Sequence, residues 1–116
     1  MGGMARFDLG IRKGAIADYD RAIQLNPNFA DAYLNHGITR NDLGDKKGAI
    51  ADYDQAIRIN PNFALAYVNR GAARFDLGDK NNAIADYKQT IRIIRINLND
   101  ALTYYNRGLA RVKSRK

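Results

Sequence analysis

The residues with types able to do covalent or acid–base chemistry are few. His36 is the only histidine and Ser114 the only serine, there is no glutamate and no cysteine, and all 12 acidic residues are aspartates. Without cysteine, disulfides, thiolate zinc sites and thiol nucleophiles are excluded. A serine nucleophile needs a base within hydrogen-bond reach. His36, however, lies in YLNHG, where later segments read YVNRG and YYNRG, so it shares a position with Arg70 and Arg107. A structural or pairing role is expected for it. The aspartates recur at fixed intervals, unlike the unique pair that acid–base catalysis uses. The glycines recur likewise and form no phosphate-cradling loop. The DLGD segments lack the spacing and terminal glutamate of an EF-hand loop. No enzymatic activity, metal or cofactor is therefore expected. What the chain does supply is amide chemistry: Asn35, Asn69 and Asn106 recur in those same three pentapeptides. A side-chain amide carries donor and acceptor together, so it can bond the N–H and C=O of an extended peptide whatever its side chains.

These residues are positioned by a repeat of 34 residues. Ala30 to Phe63 reads ADAYLNHGITRNDLGDKKGAIADYDQAIRINPNF, and Ala64 to Asn97 reads ALAYVNRGAARFDLGDKNNAIADYKQTIRIIRIN. Twenty of the first 30 positions are identical. An earlier, shortened copy supplies GMARFDLG and AIADYDRAIQLNPNF, and a last half-copy begins at Ala101 with ALTYYNRGLARVKSRK. One register held over four copies is the signature of a stacked-repeat protein. The divisions are about 1–29, 30–63, 64–97 and 98–116, within a single domain.

Each unit reads as two helices. Ala30, Tyr33, Gly37 and Arg40 fall at three- and four-residue steps, as do Ala49, Tyr53 and Ala56. Gly44 suits the left-handed residue after a helix and Asp45 the cap of the next. Asn60-Pro61 ends the second helix, because proline biases the residue before it away from the helical region. The pattern predicts helices over about 13–26, 30–43, 47–60, 64–77, 81–96 and 100–114, with a remnant at 4–9.

The spacing of Tyr33, Gly37, Ala49, Tyr53, Ala56 and Pro61, and of Tyr67, Gly71, Ala83 and Tyr87, resembles the tetratricopeptide (TPR) family. The resemblance covers nearly the whole chain. It departs at Thr90, at the missing proline after Ile93, and where leucine is usual before each glycine but His36, Arg70 or Arg107 stands. It implies an all-α, right-handed superhelical solenoid of helix-turn-helix repeats, truncated at its first helix and lacking the last second helix. Ordering 34 residues costs on the order of 50 kcal/mol at roughly 1.5 kcal/mol each, more than one helix pair offsets, so such units stack. Stacking leaves a concave groove lined by the first helix of each pair.

The asparagine column resembles the ladder lining the TPR groove of O-GlcNAc transferase. On that resemblance Leu34, Val68 and Tyr105, then Ile38, Ala72 and Leu109, with Leu65, Leu102, Phe75 and Val112, lie on or near the concave face. Chaperone-adaptor TPR domains instead clamp a C-terminal carboxylate with cationic side chains. Leu34, Val68 and Ala72 stand where such a clamp needs polar or cationic groups, which argues against that ligand. The expected function is a scaffold that binds an extended segment of a partner protein.

Arg70 and Arg107 would be costly if buried unpaired. Each is expected to meet an acid, with Asp18, Asp52 and Asp86 of the repeated ADY the natural partners, and Asp52 or Asp86 for Arg70. Asp8, Asp42 and Asp76 form a second row near the groove edge. The net charge of +7 sits entirely in the last 29 residues, where Lys88, Arg92, Arg95, Arg107, Arg111, Lys113, Arg115 and Lys116 face Asp100 alone. That basic segment, with Tyr104 and Tyr105, gives the alternative function: binding nucleic acid or another anionic surface. No apolar run approaches the roughly 20 residues of a membrane span. The Met1-Gly2-Gly3-Met4 start is too short and polar for a signal peptide, and reads as truncated. A cytoplasmic protein is expected.

The junction after Ile93 is irregular. Three residues, Ile94-Arg95-Ile96, are inserted and Leu98 replaces the helix-stopping proline. Two outcomes are open. Either Asn97 to Asp100 turns and Asp100 caps a last helix, which is the expectation, or one long helix runs through and needs another chain to cover its apolar stripe. Self-association is expected in both cases.

Overall fold

The computed structural model describes the backbone of residues 2–114 and the side chains of residues 8–114. Met1, Arg115 and Lys116 lie outside the described residues. Within them the chain is all helix and turn: α1 (Gly2–Leu25), α2 (Ala30–Asp42), α3 (Lys46–Ile59), α4 (Ala64–Asp76) and α5 (Lys80–Lys113). Helices α2 and α3 form one hairpin, and α4 pairs with the first half of α5 in a second. The hairpins stack through α3 and α4, and α1 packs on α2. The array is elongated, 69 × 33 × 33 Å.

Local chemistry sets the turns. Gly44 and Gly78 adopt φ of +90° and +86°, the region glycine enters without a Cβ penalty. Asp45 then accepts a hydrogen bond from Gly48 N at 2.9 Å and caps α3. Asn60 is extended (φ −127°, ψ 92°), as the residue before Pro61 must be, and its side chain accepts from Asn62 N at 3.2 Å. Asn26 does the same for Asn28 N ahead of α2.

Both ends of the array differ from expectation, for one reason each. The remnant at 4–9 and the helix at 13–26 are one continuous helix, α1. Its DLG is followed by Ile11 where Asp45 and Asp79 follow the other two, so the aspartate at the start of the next helix is missing. The expected turn at Asn97–Asp100 is also absent, and 81–96 and 100–114 are one 34-residue helix, α5. With Leu98 in place of proline nothing removes a helical N–H. Each further helical residue then adds a hydrogen bond without a new nucleation cost. Asp100 caps nothing; it lies mid-helix.

The core sits between the hairpins. Leu34, Ala49, Tyr53, Ala56, Ala66 and Ala73 are buried together, with Tyr33, Ile38, Ile50, Ile57 and Phe63 packed around them. A Cβ on Gly37 would stand 2.7 Å from Tyr53 Cε1, and one on Gly71 2.8 Å from Tyr87 Cε1. The ring lies where a larger residue would hold the helices apart, which is why a glycine faces a tyrosine in each hairpin.

Candidate functional site

Helices α2 and α4 run side by side as the first helices of successive hairpins, and each presents one asparagine. Asn35 donates its amide to Asp31 O at 2.9 Å, and Asn69 to Leu65 O at 2.7 Å. Both bonds run back one turn along their own helix and fix the side chain in the same way. Among the described residues, each amide keeps its carbonyl oxygen and its second N–H without a protein partner. Asn35 is exposed and Asn69 half-buried.

The residues around the ladder divide into three groups. Leu34 belongs to the core, and Ile38 and Val68 are half-buried. Leu65, Ala72 and Phe75 are exposed on α4. Tyr105, Asn106 and Leu109, with Leu102 and Val112, lie on the distal half of α5, where every residue from Ile94 to Ser114 is exposed. The straight course of α5 thus carries the third asparagine away from the first two.

Beneath this face runs a charged column. Arg70 donates to Asp86 twice, Nη2 to Oδ1 at 2.7 Å and Nε to Oδ2 at 3.1 Å, and donates Nη1 to Asp54 Oδ1 at 2.8 Å. Burial works against the Arg70 charge. The two carboxylates more than offset it and hold the guanidinium above its ordinary range. Arg74 adds a further bond to Asp86 at 2.9 Å. His36 repeats the arrangement one hairpin earlier: Nδ1 bonds Asp52 Oδ2 at 2.5 Å, and Nε2 lies 2.8 Å from Asp20 Oδ1, a close contact outside hydrogen-bond geometry. Burial pushes the Asp52 carboxyl up, with His36 and Arg40 acting against that rise. The expected pairing of Arg70 with Asp86 is present; the alternative with Asp52 is not.

The second acid in each case, Asp54 or Asp20, was not among the expected partners. Its signal lies in the sequence, 16 residues before the cation as the first acid is 16 residues after it. The expectation fails for Arg107, which lies over the Tyr104 ring at 5.1 Å and meets no acid among the described residues. Asp18 is likewise exposed and meets no cation among them. In the outer row, Asp42 approaches Arg12 at 4.0 Å and Asp76 pairs with Lys46 at 3.2 Å, so both have structural partners at the surface.

A cleft of about 270 Å³ is lined by Asn62, Gln89, Arg92, Ile93, Ile96 and Asn97, where α5 passes the α3–α4 turn. It is remote from Asn35 and Asn69 and holds no acid–base pair. The described residues contain no cluster of three or more metal-ligating side chains, and no helix of theirs is long and apolar enough to cross a membrane.

Stacked helical hairpins with a repeated glycine and tyrosine interlock define an α-solenoid of helix-turn-helix repeats. The chain belongs to the tetratricopeptide repeat family: models described as TPR repeat match residues 3–44 and 37–78, and one described as Tetratricopeptide repeat matches 64–97. No curated protein matches it. Among solved structures it is similar to MamA, with TM-score 0.76 and 31% identity over 84% of this chain and 57% of that one. The chain therefore spans little more than half the length of that relative. It is also similar to the first TPR of Spaghetti (RPAP3) bound to the HSP90 peptide SRMEEVD, with TM-score 0.72 and 25% identity over 94% of this chain and 88% of that one. The second TPR of Spaghetti, bound to the same peptide, gives TM-score 0.70 and 27% identity over 78% of this chain and 84% of that one.

Proposed function

We propose that the chain is a non-catalytic interaction module that holds an extended segment of a partner protein along α2 and α4. The observation that carries this reading is the matched state of Asn35 and Asn69. Each occupies the same position of its repeat on neighbouring helices, and each is held by its own i−4 carbonyl with hydrogen-bonding capacity to spare. Amides spaced one per repeat suit a peptide backbone, which offers N–H and C=O groups at regular intervals. The exposed Leu65, one turn before Asn69 on α4, suits an apolar side chain of the same segment. Peptide occupancy in two Spaghetti TPR structures supports the class of ligand.

The test uses fluorescein-labelled peptides selected from a random library against the chain. Asn35→Ala with Asn69→Ala is expected to weaken their binding about tenfold or more, since each lost ligand hydrogen bond is worth about 0.5–1.5 kcal/mol. The helical signal and melting temperature should stay near the parent's. Binding should depend weakly on salt, whereas phosphate contacts weaken steeply with it. SRMEEVD is the control. If it bound as well as the selected peptides, an acidic carboxylate ligand would replace the apolar one.

A further inference from the structure

Two surfaces of this chain are halves of the same contact. In the α2–α3 hairpin, Gly37 faces Tyr53, His36 bonds Asp52, and Arg40 approaches Asp52 at 3.5 Å. In the α4–α5 hairpin, Gly71 faces Tyr87, and Arg70 and Arg74 both bond Asp86. The distal half of α5 repeats the first-helix side of this contact as Arg107, Gly108 and Arg111. A Cβ on Gly108 would meet nothing within 4 Å, and both arginines are exposed with no acid among the described residues. Helix α1 repeats the second-helix side as Ala15, Asp18 and Tyr19. Where Ala49, Tyr53 and Ala83 are closed off from solvent, Ala15 and Tyr19 are half-buried and Asp18 is exposed. α1 packs on α2 as α3 packs on α4, and among the described residues no other helix faces its Ala15–Asp18–Tyr19 side.

We propose that a second copy of the chain supplies such a helix: residues 101–113 of one copy pack antiparallel on residues 12–25 of the next, completing a TPR across two chains. Arg107 and Arg111 would then bond Asp18 of the next copy, as Arg70 and Arg74 bond Asp86. Gly108 would receive the ring of Tyr19. The continuous α5 serves this exchange, because it holds the half-repeat away from its own hairpin. Folding back would not satisfy Arg107. Arg70 and His36 each take a second acid from the preceding hairpin, Asp54 and Asp20, and the corresponding residue ahead of Arg107 is Lys88. The contact is heterologous: each copy offers one half of each kind, so two copies close reciprocally and more form an open array.

Sedimentation equilibrium of the 116-residue chain over a wide concentration range tests this. The parent is expected to reach at least twice its 13.0 kDa mass. Arg107→Asp and Asp18→Arg each set like charges against each other and should weaken association about tenfold or more. Mixing the two variants pairs Asp against Arg at one contact and Arg107 against Asp18 at the other, so association should return. Gly108→Val touches nothing within one copy but would strike Tyr19 of the next, and should also give monomers. Circular dichroism confirms that each variant stays helical. A parent that remains at 13.0 kDa throughout, variants that associate like the parent, or a mixture that stays monomeric would each overturn the proposal. Association that survives both Arg107→Asp and Gly108→Val would point to side-by-side packing of the α5 stripe instead.

Discussion

Arg70 grips Asp86 through two parallel hydrogen bonds, at 2.7 and 3.1 Å, and the carboxylate is almost wholly removed from water. A guanidinium stands here where the family usually places leucine. The hairpin thus replaces an apolar contact by a planar, directional one that also reaches Asp54 in the hairpin before it.

Arg70→Ala is expected to destabilise the chain by about 2–4 kcal/mol, at or just below the usual cost of breaking a buried pair from one side. Arg74 remains on Asp86 and limits the loss. Asp86→Ala leaves Arg70 with Asp54 alone and takes the acid from Arg74, and should cost more, while Arg70→Leu, which refills the volume, should cost less than Arg70→Ala. Urea unfolding measures all three. Equal effects for Asp86→Ala and Arg70→Ala would show that Arg74 does not share the carboxylate.

His36 stands in the same column, bonded through Nδ1 to Asp52 and with Nε2 close to Asp20. A guanidinium donates to both at any ordinary pH. His36→Arg should therefore be tolerated. His36→Ala should cost about 2–4 kcal/mol, because it leaves Asp52 buried with only the more distant Arg40. The folded pKa of Asp52 is already raised by burial, so its unfolded form ionises first as pH rises. The stability of His36→Ala should accordingly fall as pH climbs from the ordinary carboxyl value of 3.8 through the raised folded value. A flat pH profile for this variant would contradict the burial of Asp52.

Tyr53 gives the alkaline counterpart. Burial, then the charges of Asp42 and Asp52, push its phenol up to about 12 from 10.0. The unfolded chain loses this proton near 10 and the folded chain near 12. Stability is therefore intact below pH 10 and declines between the two values, by at most about 3 kcal/mol for a two-unit difference. Tyr53→Phe should flatten that decline. Thermal melts at pH 9 to 12, compared between parent and variant, measure it; parallel curves would show that the phenol is not held neutral by the fold.

Much of this architecture was legible because each local device has its own residue. The 34-residue period, Gly44 and Gly78 at positive φ, Asp45 as a cap and Asn60-Pro61 as a stop are each one residue's physics, and all four were readable. The two fused helices were not. At Ile11 and at Asn97–Asp100 the sequence keeps most of a turn signal, the DLG in one case and Asn-Leu-Asn-Asp in the other. A helix stops where an N–H is removed, as at Pro61, or where a glycine at positive φ followed by an aspartate starts a new helix, as at Gly44 and Gly78. Gly10, followed by Ile11, and Asn97–Asp100, without a proline, do neither. The asparagine positions were legible from the repeat, but their grouping was not, since Asn106 depends on where α5 ends. The second acids, Asp20 and Asp54, were hidden because the aspartate expected to pair was the one in ADY, and these stand two residues after it in ADYD.

Leu98 is where this reasoning is most directly tested. A proline there would remove the N–H of residue 98 from the helix and drive Asn97 into the extended region that Asn60 occupies before Pro61. Leu98→Pro should break α5, costing about 3 kcal/mol of helix stability. The freed half-repeat could then fold back on residues 81–96, but Arg107 would meet Lys88 there instead of an aspartate. Leu98→Pro alone should therefore lose helical signal without becoming compact. Adding Lys88→Asp restores the acid that Asp54 gives Arg70, and the double variant should contract. Small-angle scattering on the Asp18→Arg background, which weakens association and leaves Arg107 in place, reads this as a radius of gyration below the 19.1 Å of the extended chain. If Leu98→Pro keeps both the helical signal and the extended radius, the absence of proline is not what makes α5 continuous. If the double variant stays as extended as the single one, Lys88 is not what keeps the half-repeat from closing.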